Sequence, residues 1–142
     1  MDAKSRQYKL KARSMQLTWV SKSIFVKNAW LSLCIIVNCT KTSVLVESVV
    51  SSISVTNSPS FALQITGAAP TIQIDSTDSG QIYLSKSCLD AEILTAKCSA
   101  INVSLPVEGE EDGVFVERAV PEMLRTAIKD GKLVTTIVEH SA

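Results

Sequence analysis

Histidine occurs once, at position 140, and the four cysteines (Cys34, Cys39, Cys88 and Cys98) contain no Cys-x-x-Cys pair. A zinc centre draws its ligands from such clusters at short spacing, so none is expected. With the one histidine near the C-terminus, no Ser/His/Asp set can be assembled. Glycine is scarce, five in 142 residues, and neither glycine-rich nucleotide loop is present. No cofactor is expected. The longest largely apolar run, Trp30 to Val37, is far too short to span a bilayer. The polar N-terminus lacks the apolar core of a signal peptide. Together these absences predict a reduced, cytoplasmic protein with free thiols. Asn-Gly and Asp-Gly, the hairpin dipeptides, are missing between residues 24 and 105.

What fills residues 24 to 105 is one short pattern written nine times. Two apolar residues flank one other residue in Ile24/Val26, Ile35/Val37, Val44/Val46, Ile53/Val55, Leu63/Ile65, Ile72/Ile74, Ile82/Leu84, Ala91/Ile93 and Ile101/Val103. Alternation of period two is a strand with one buried face. The second members follow one another at steps of 11, 9, 9, 10, 9, 10, 9 and 10 residues. So regular a step indicates a repeat architecture. An antiparallel sandwich and a parallel β-helix both fit short strands at this spacing. The regular step and the missing hairpin dipeptides favour the β-helix, with two strands per coil of about 19 residues and four to five coils. Asn28, Asn38, Ser48, Asn57, Gly67 and Ser76 follow the anchors and are expected to turn the corners. The outward residues Phe25, Ile36 and Leu45 are apolar, whereas Gln64, Gln73 and Glu92 further on are polar. An apolar outer face on the first coils predicts that something covers it.

Charge is zero overall but segregated. From Glu47 onward there are 13 acids against 6 bases, while Lys4, Arg6, Lys9, Lys11, Arg13, Lys22, Lys27 and Lys41 precede it. The basic start reads as a solubilising tail, with docking to an acidic protein surface, anionic lipid or nucleic acid as the sharper reading. Four units are expected: a basic segment at 1–18, the β-helix at 19–107, an acidic loop and linker at 108–120, and a C-terminal hairpin at 121–142. Pro121 could open a helix to Ile128, but Asp130-Gly131 is the strongest hairpin signal in the chain, with arms Leu124 to Lys129 and Lys132 to Val138. Carboxylate pairs such as Asp75/Asp78, which lies in a turn, and Asp90/Glu92 make no acid–base constellation, so an enzyme is not expected.

Several stretches carry a family resemblance. Ala69-Pro70-Thr71-Ile72-Gln73-Ile74, Thr77-Asp78, Tyr83-Leu84-Ser85-Lys86 and the ending Gly131-Lys132-Leu133-Val134-Thr135-Thr136 occur in that order, and Ser51, Ile53, Val55 and Asn57 form a repeat with a strand-end Asn. In these the chain resembles the C-terminal domain of the cyclase-associated proteins, from about Trp19 onward. The resemblance implies an all-β, right-handed parallel β-helix that forms a homodimer by exchanging C-terminal hairpins. It also implies binding of monomeric actin in its ADP form, faster exchange of ADP for ATP, and an indirect partnership with cofilin-type factors and profilin. Carried onto this sequence, it makes Thr77, Asp78, Tyr83, Ser85, Lys86, Lys132, Leu133, Val134, Thr135 and Thr136 the candidate actin contacts. Leu124, Gly131, Leu133, Val134 and Ile137 become the candidate dimer contacts. Nucleic acid is not an expected partner. A tubulin-cofactor-like binding module and a purely structural dimerisation scaffold are the alternatives.

Overall fold

Parallel pairing between strands one coil apart is the organising contact of the molecule. The computed structural model describes residues 7–11, 14–25 and 30–139. Its strands run β1 (Gln7–Lys11), β2 (Ser14–Thr18), β3 (Ser23–Phe25), β4 (Trp30–Val37), β5 (Ser43–Val46), β6 (Ser48–Thr56), β7 (Phe61–Ile65), β8 (Thr71–Asp75), β9 (Asp78–Tyr83), β10 (Glu92–Ala96), β11 (Ser99–Pro106), β12 (Phe115–Ala119), β13 (Leu124–Lys129) and β14 (Lys132–Ile137). One 3-10 turn, Lys86–Cys88, interrupts them, and no α-helix occurs among the described residues. From β2 to β11 successive strands alternate between two sheets, ordered β1-β2-β4-β6-β8-β10 and β12-β11-β9-β7-β5-β3. This is a parallel β-solenoid of about four to five coils. Its first coil takes in β2, which pairs parallel with β4 and lies inside the segment expected to be a basic tail.

The core is a stack of identical positions. In the first sheet Met15, Cys34, Ile53 and Ile72 lie in one inward row, and Leu17, Ile36, Val55 and Ile74 in the next. In the second sheet Val44, Leu63, Ile82 and Val103 do the same. All are buried, so each coil adds its apolar face to a continuous core.

Two expectations about register are corrected. Cys34 and Ile36 point inward, whereas Ile35 and Val37 lie half-buried on the outer face. The run Leu33–Val37 is apolar on both faces, so alternation cannot be read there, and the register is set by Cys34 against Ile53 and Ile36 against Val55. Ile36 therefore does not belong to the outer apolar face, while Leu45 does and is half-buried. Val26 and Asn28 lie outside the described residues. At the other end Ile93 stacks on Ile72, and Thr95 on Ile74, so Ala91/Ile93 is displaced by two residues from the true pair. Likewise Val103 stacks on Ile82, 21 residues on, where Ile82 itself follows Leu63 by 19. The coil that contains the 3-10 turn Lys86–Cys88 is longer by two.

One corner shows why the coils superpose. Trp19, Asn38, Asn57, Ser76 and Lys97 all have positive φ, between 47° and 59°, and recur at the coil spacing. Asn tolerates this left-handed conformation better than most residues, and Asn57 Nδ2 donates to Asn38 Oδ1 at 2.7 Å across the stack. The next residues, Cys39, Ser58 and Thr77, point inward. The N–H of Cys39 donates to Ser58 Oγ at 3.1 Å, and the N–H of Ser58 to Thr77 Oγ1 at 3.2 Å. Each hydroxyl then donates to the carbonyl two residues before it, Thr56 for Ser58 and Asp75 for Thr77. No buried side-chain polar atom among the described residues lacks a partner. At the opposite corner Gly67 is required for space: a Cβ there would run into Ser48 Oγ and the Glu47 carbonyl.

The ends of the stack are treated differently. Antiparallel β1 covers β2 in the first sheet, and antiparallel β12 covers β11 in the second. Among the described residues the opposite edges, β10 and β3, are strands of the parallel ladder itself.

Candidate functional site

The sequence-derived candidates fall in three separate places. Thr77 and Asp78 form the corner into β9. Thr77 is buried at 1% exposure, and its hydroxyl hydrogen-bonds the Asp75 carbonyl and the Ser58 N–H within the corner. Asp78 is exposed, and its carboxylate accepts a hydrogen bond from Ser99 Oγ in the next coil.

Tyr83, Ser85 and Lys86 meet in a cleft of about 360 Å³ on the outer face of the second sheet. Strand alternation turns Tyr83 outward, since its neighbours Ile82 and Leu84 are buried. Its ring packs edge-to-face on Phe115, with centroids 5.5 Å apart and planes at 74°. Gln64 lies beside Tyr83 in the register and completes the wall. Ser85 is occupied locally: its hydroxyl donates to the Gly67 carbonyl at 2.5 Å and accepts from the N–H of Ser87, capping the 3-10 turn. Lys86 reaches the acidic loop, where its Nζ donates to the Glu110 carbonyl at 3.3 Å and lies 4.0 Å from Asp112 Oδ1. Both partners of that pair are exposed, so the contact holds the loop weakly. Phe115 and Gln64 were not among the sequence candidates. The aromatic pair joins residues on strands β9 and β12, whose pairing through β11 no local pattern reveals.

The third place is the hairpin. Among the described residues β13 and β14 pair only with each other, across the turn Asp130-Gly131, whose φ values of 51° and 75° are those of a type I′ turn. This is the arrangement expected from Asp-Gly, not the helix opened by Pro121. Residues opposite one another share a face, so Leu124, Ile128, Leu133 and Ile137 lie together around the pair Thr126/Thr135, whose hydroxyls are 3.1 Å apart. The four apolar side chains are 58, 76, 73 and 56% exposed. Val134 and Thr136 lie on the opposite face, with Lys132. Ile128 was missed by the sequence reading. Its signal was its place four residues after Leu124, an even spacing that puts both on one face of a strand.

A two-sheet solenoid ending in an unpaired hairpin matches known proteins closely. Residues 20–140 match the family described as adenylate cyclase associated (CAP) C terminal. The chain belongs to this family. It is 35% identical over 128 residues to the adenylyl cyclase-associated protein of Schizosaccharomyces pombe, covering 89% of this chain and 23% of that one. Against adenylyl cyclase-associated protein 1 of Homo sapiens it is 43% identical over 102 residues, covering 72% and 21%. The crystal structure of cyclase-associated protein from Cryptosporidium parvum superposes with a TM-score of 0.80 at 27% identity, covering 94% of this chain and 96% of that one. The chain spans about a fifth of the length of the cyclase-associated proteins it matches in sequence. It therefore corresponds to their C-terminal β-solenoid domain.

Proposed function

We propose that this domain binds monomeric actin, favours the ADP form and speeds exchange of ADP for ATP, acting as a homodimer joined by exchanged C-terminal hairpins. Family membership supports the actin reading. The observation that carries the dimer is the hairpin, because a lone two-stranded hairpin is marginal in water and this one exposes Leu124, Ile128, Leu133 and Ile137 together. Packing that face against a second copy removes it from water and makes a symmetric interface.

The exchange activity needs no covalent chemistry. A partner that binds one actin conformer more tightly shifts actin toward that conformer, and nucleotide affinity changes by the same coupling energy. Candidate contacts on this domain are Asp78, Tyr83, Lys86 and the outward residues of β14, Lys132, Val134 and Thr136. Leu133 and Thr135 fall to the dimer side, with Leu124 and Ile137, and Gly131 sets the turn between the arms. In this reading the solenoid body begins with β2 at residue 14 and runs to 107, 108–120 holds the acidic loop and the capping strand β12, and 121–142 is the dimerisation unit. The domain works in the cytoplasm, alongside cofilin-type factors and profilin in filament turnover.

The test is the release rate of a fluorescent nucleotide from monomeric actin with and without the protein. Faster release at near-stoichiometric concentration is expected. Unchanged release, with no binding to ADP-actin in the same titration, overturns the reading.

A further inference from the structure

Charge on the hairpin is sorted by face. Opposite the apolar face, the register brings Arg125 across from Thr136, Ala127 from Val134, and Lys129 from Lys132. Three cations thus share one side of a sheet only two strands wide. The remainder of the chain makes this unusual. From Glu47 onward there are 6 bases against 13 acids, and half of those bases are Arg125, Lys129 and Lys132. No acidic residue lies on that face: Asp130 is in the turn, and Glu122 and Glu139 precede and follow the paired segment. Among the described residues none of the three cations forms an ion pair.

The pairing also runs against hairpin stability. Lys129 and Lys132 are directly opposed, and like charges in cross-strand register repel. The hairpin is thus a cationic plate within an otherwise acidic stretch from Glu47 onward, with Ala127 and Val134 as its apolar centre.

We infer that the Arg125/Lys129/Lys132 face is a docking surface for an acidic patch on the partner protein, separate from the apolar face that joins the two copies. The inference rests on the actin reading above and assigns its electrostatic contact to residues that include Arg125 and Lys129. Strand alternation divides the two jobs residue by residue: the apolar row binds self, and the basic row binds partner. Two-fold symmetry presents the basic row twice per dimer, so each copy offers its own docking face. Opposite charge across such a contact acts chiefly on the rate and specificity of encounter, and it weakens with salt.

The experiment compares the full chain with Arg125→Gln/Lys129→Gln/Lys132→Gln and with the charge-reversed Arg125→Glu/Lys129→Glu/Lys132→Glu. Each is titrated against monomeric ADP-actin at low and high salt, with mass by light scattering in parallel. The neutral triple variant is expected to stay dimeric, to bind about tenfold or more weakly, and to lose most of the salt dependence of association. The reversed variant is expected to bind more weakly still. Wild-type affinity and salt dependence in a dimeric neutral variant overturn the inference and leave the actin reading standing. Loss of the dimer in both variants overturns the division of faces. If the wild-type chain fails to bind actin but binds phosphatidylserine vesicles, both the actin reading and a protein partner for this face are overturned.

Discussion

Thr77 Oγ1 accepts a hydrogen bond from the backbone N–H of Ser58 at 3.2 Å, 19 residues earlier in the chain, and returns its own proton to the Asp75 carbonyl. One hydroxyl thereby ties two coils together at a buried corner. Replacing it with the isosteric Thr77→Val leaves the Ser58 N–H and the Asp75 carbonyl without that partner inside the stack. The expected loss is about 1–3 kcal/mol, read as a lower midpoint in urea, and Thr77→Ser should restore most of it. A midpoint unchanged in Thr77→Val would show that the corner is held by the backbone alone.

Gly80 supplies a second coil-to-coil lock. It pairs with Phe61 in the sheet, and a Cβ at Gly80 would collide with the Phe61 ring, which is itself buried. Gly80→Ala is expected to cost about 1–3 kcal/mol by overpacking. The double variant Gly80→Ala/Phe61→Leu makes room for the methyl and should be less than additive. Additive losses in the thermal midpoints would place the strain elsewhere.

The apolar hairpin face has a test in mass. Ile128→Ser/Leu133→Ser keeps the Asp130-Gly131 turn and removes the two most exposed apolar side chains of the face. It should give a monomer by light scattering at concentrations where the parent chain is a dimer. Deletion of residues 133–142 should do the same. A dimer that survives both changes would rule out hairpin exchange.

The thiols give the domain a pH dependence of defined sign. Burial pushes the Cys34 thiol up from its ordinary value of 9.0 to about 12, and burial also raises Cys39 and Cys88. The unfolded chain releases these protons first, so the fold is at full strength below about pH 9 and weakens as pH rises toward 12. Cys34→Val should flatten the slope of stability between those values, measured by urea unfolding at fixed pH. At pH 8 the half-exposed Cys98 should be alkylated ahead of Cys34, Cys39 and Cys88, which are buried.

How much of this was legible follows from where alternation is clean. Ile53/Val55, Leu63/Ile65 and Ile72/Ile74 each flank a more exposed residue, Ser54, Gln64 or Gln73, and their inward faces could be read directly. Cys34 to Val37 offers four apolar residues in a row, and there the register comes from stacking on Ile53 and Val55. The irregular step of 11 into Val37 was the one local sign: placing the anchor at Ile36 makes the step to Val46 ten, in line with the others. The two-residue expansion around Lys86–Cys88 left no such sign, because Ala91 and Ile101 are apolar and imitate the expected anchors. In the candidate site, the Asp-Gly turn fixed the hairpin arms and hence its two faces. The Tyr83–Phe115 pair was not legible, since it depends on β12 folding back antiparallel onto the last coil.

The reversed strands at the two ends limit how large an assembly the solenoid can make. A stack of parallel coils is a template on which an identical stack could continue, and continued indefinitely it would be a fibre. Continuation requires both sheets to extend at the same end. Here β1 terminates one sheet at the first end and β12 terminates the other at the last, each with the hydrogen-bonding pattern of an antiparallel neighbour. Among the described residues each end thus presents one edge strand paired parallel to its neighbour beside one paired antiparallel. An identical stack in the same orientation would meet a reversed strand in one sheet at either end, so the parallel pattern cannot continue in both sheets together.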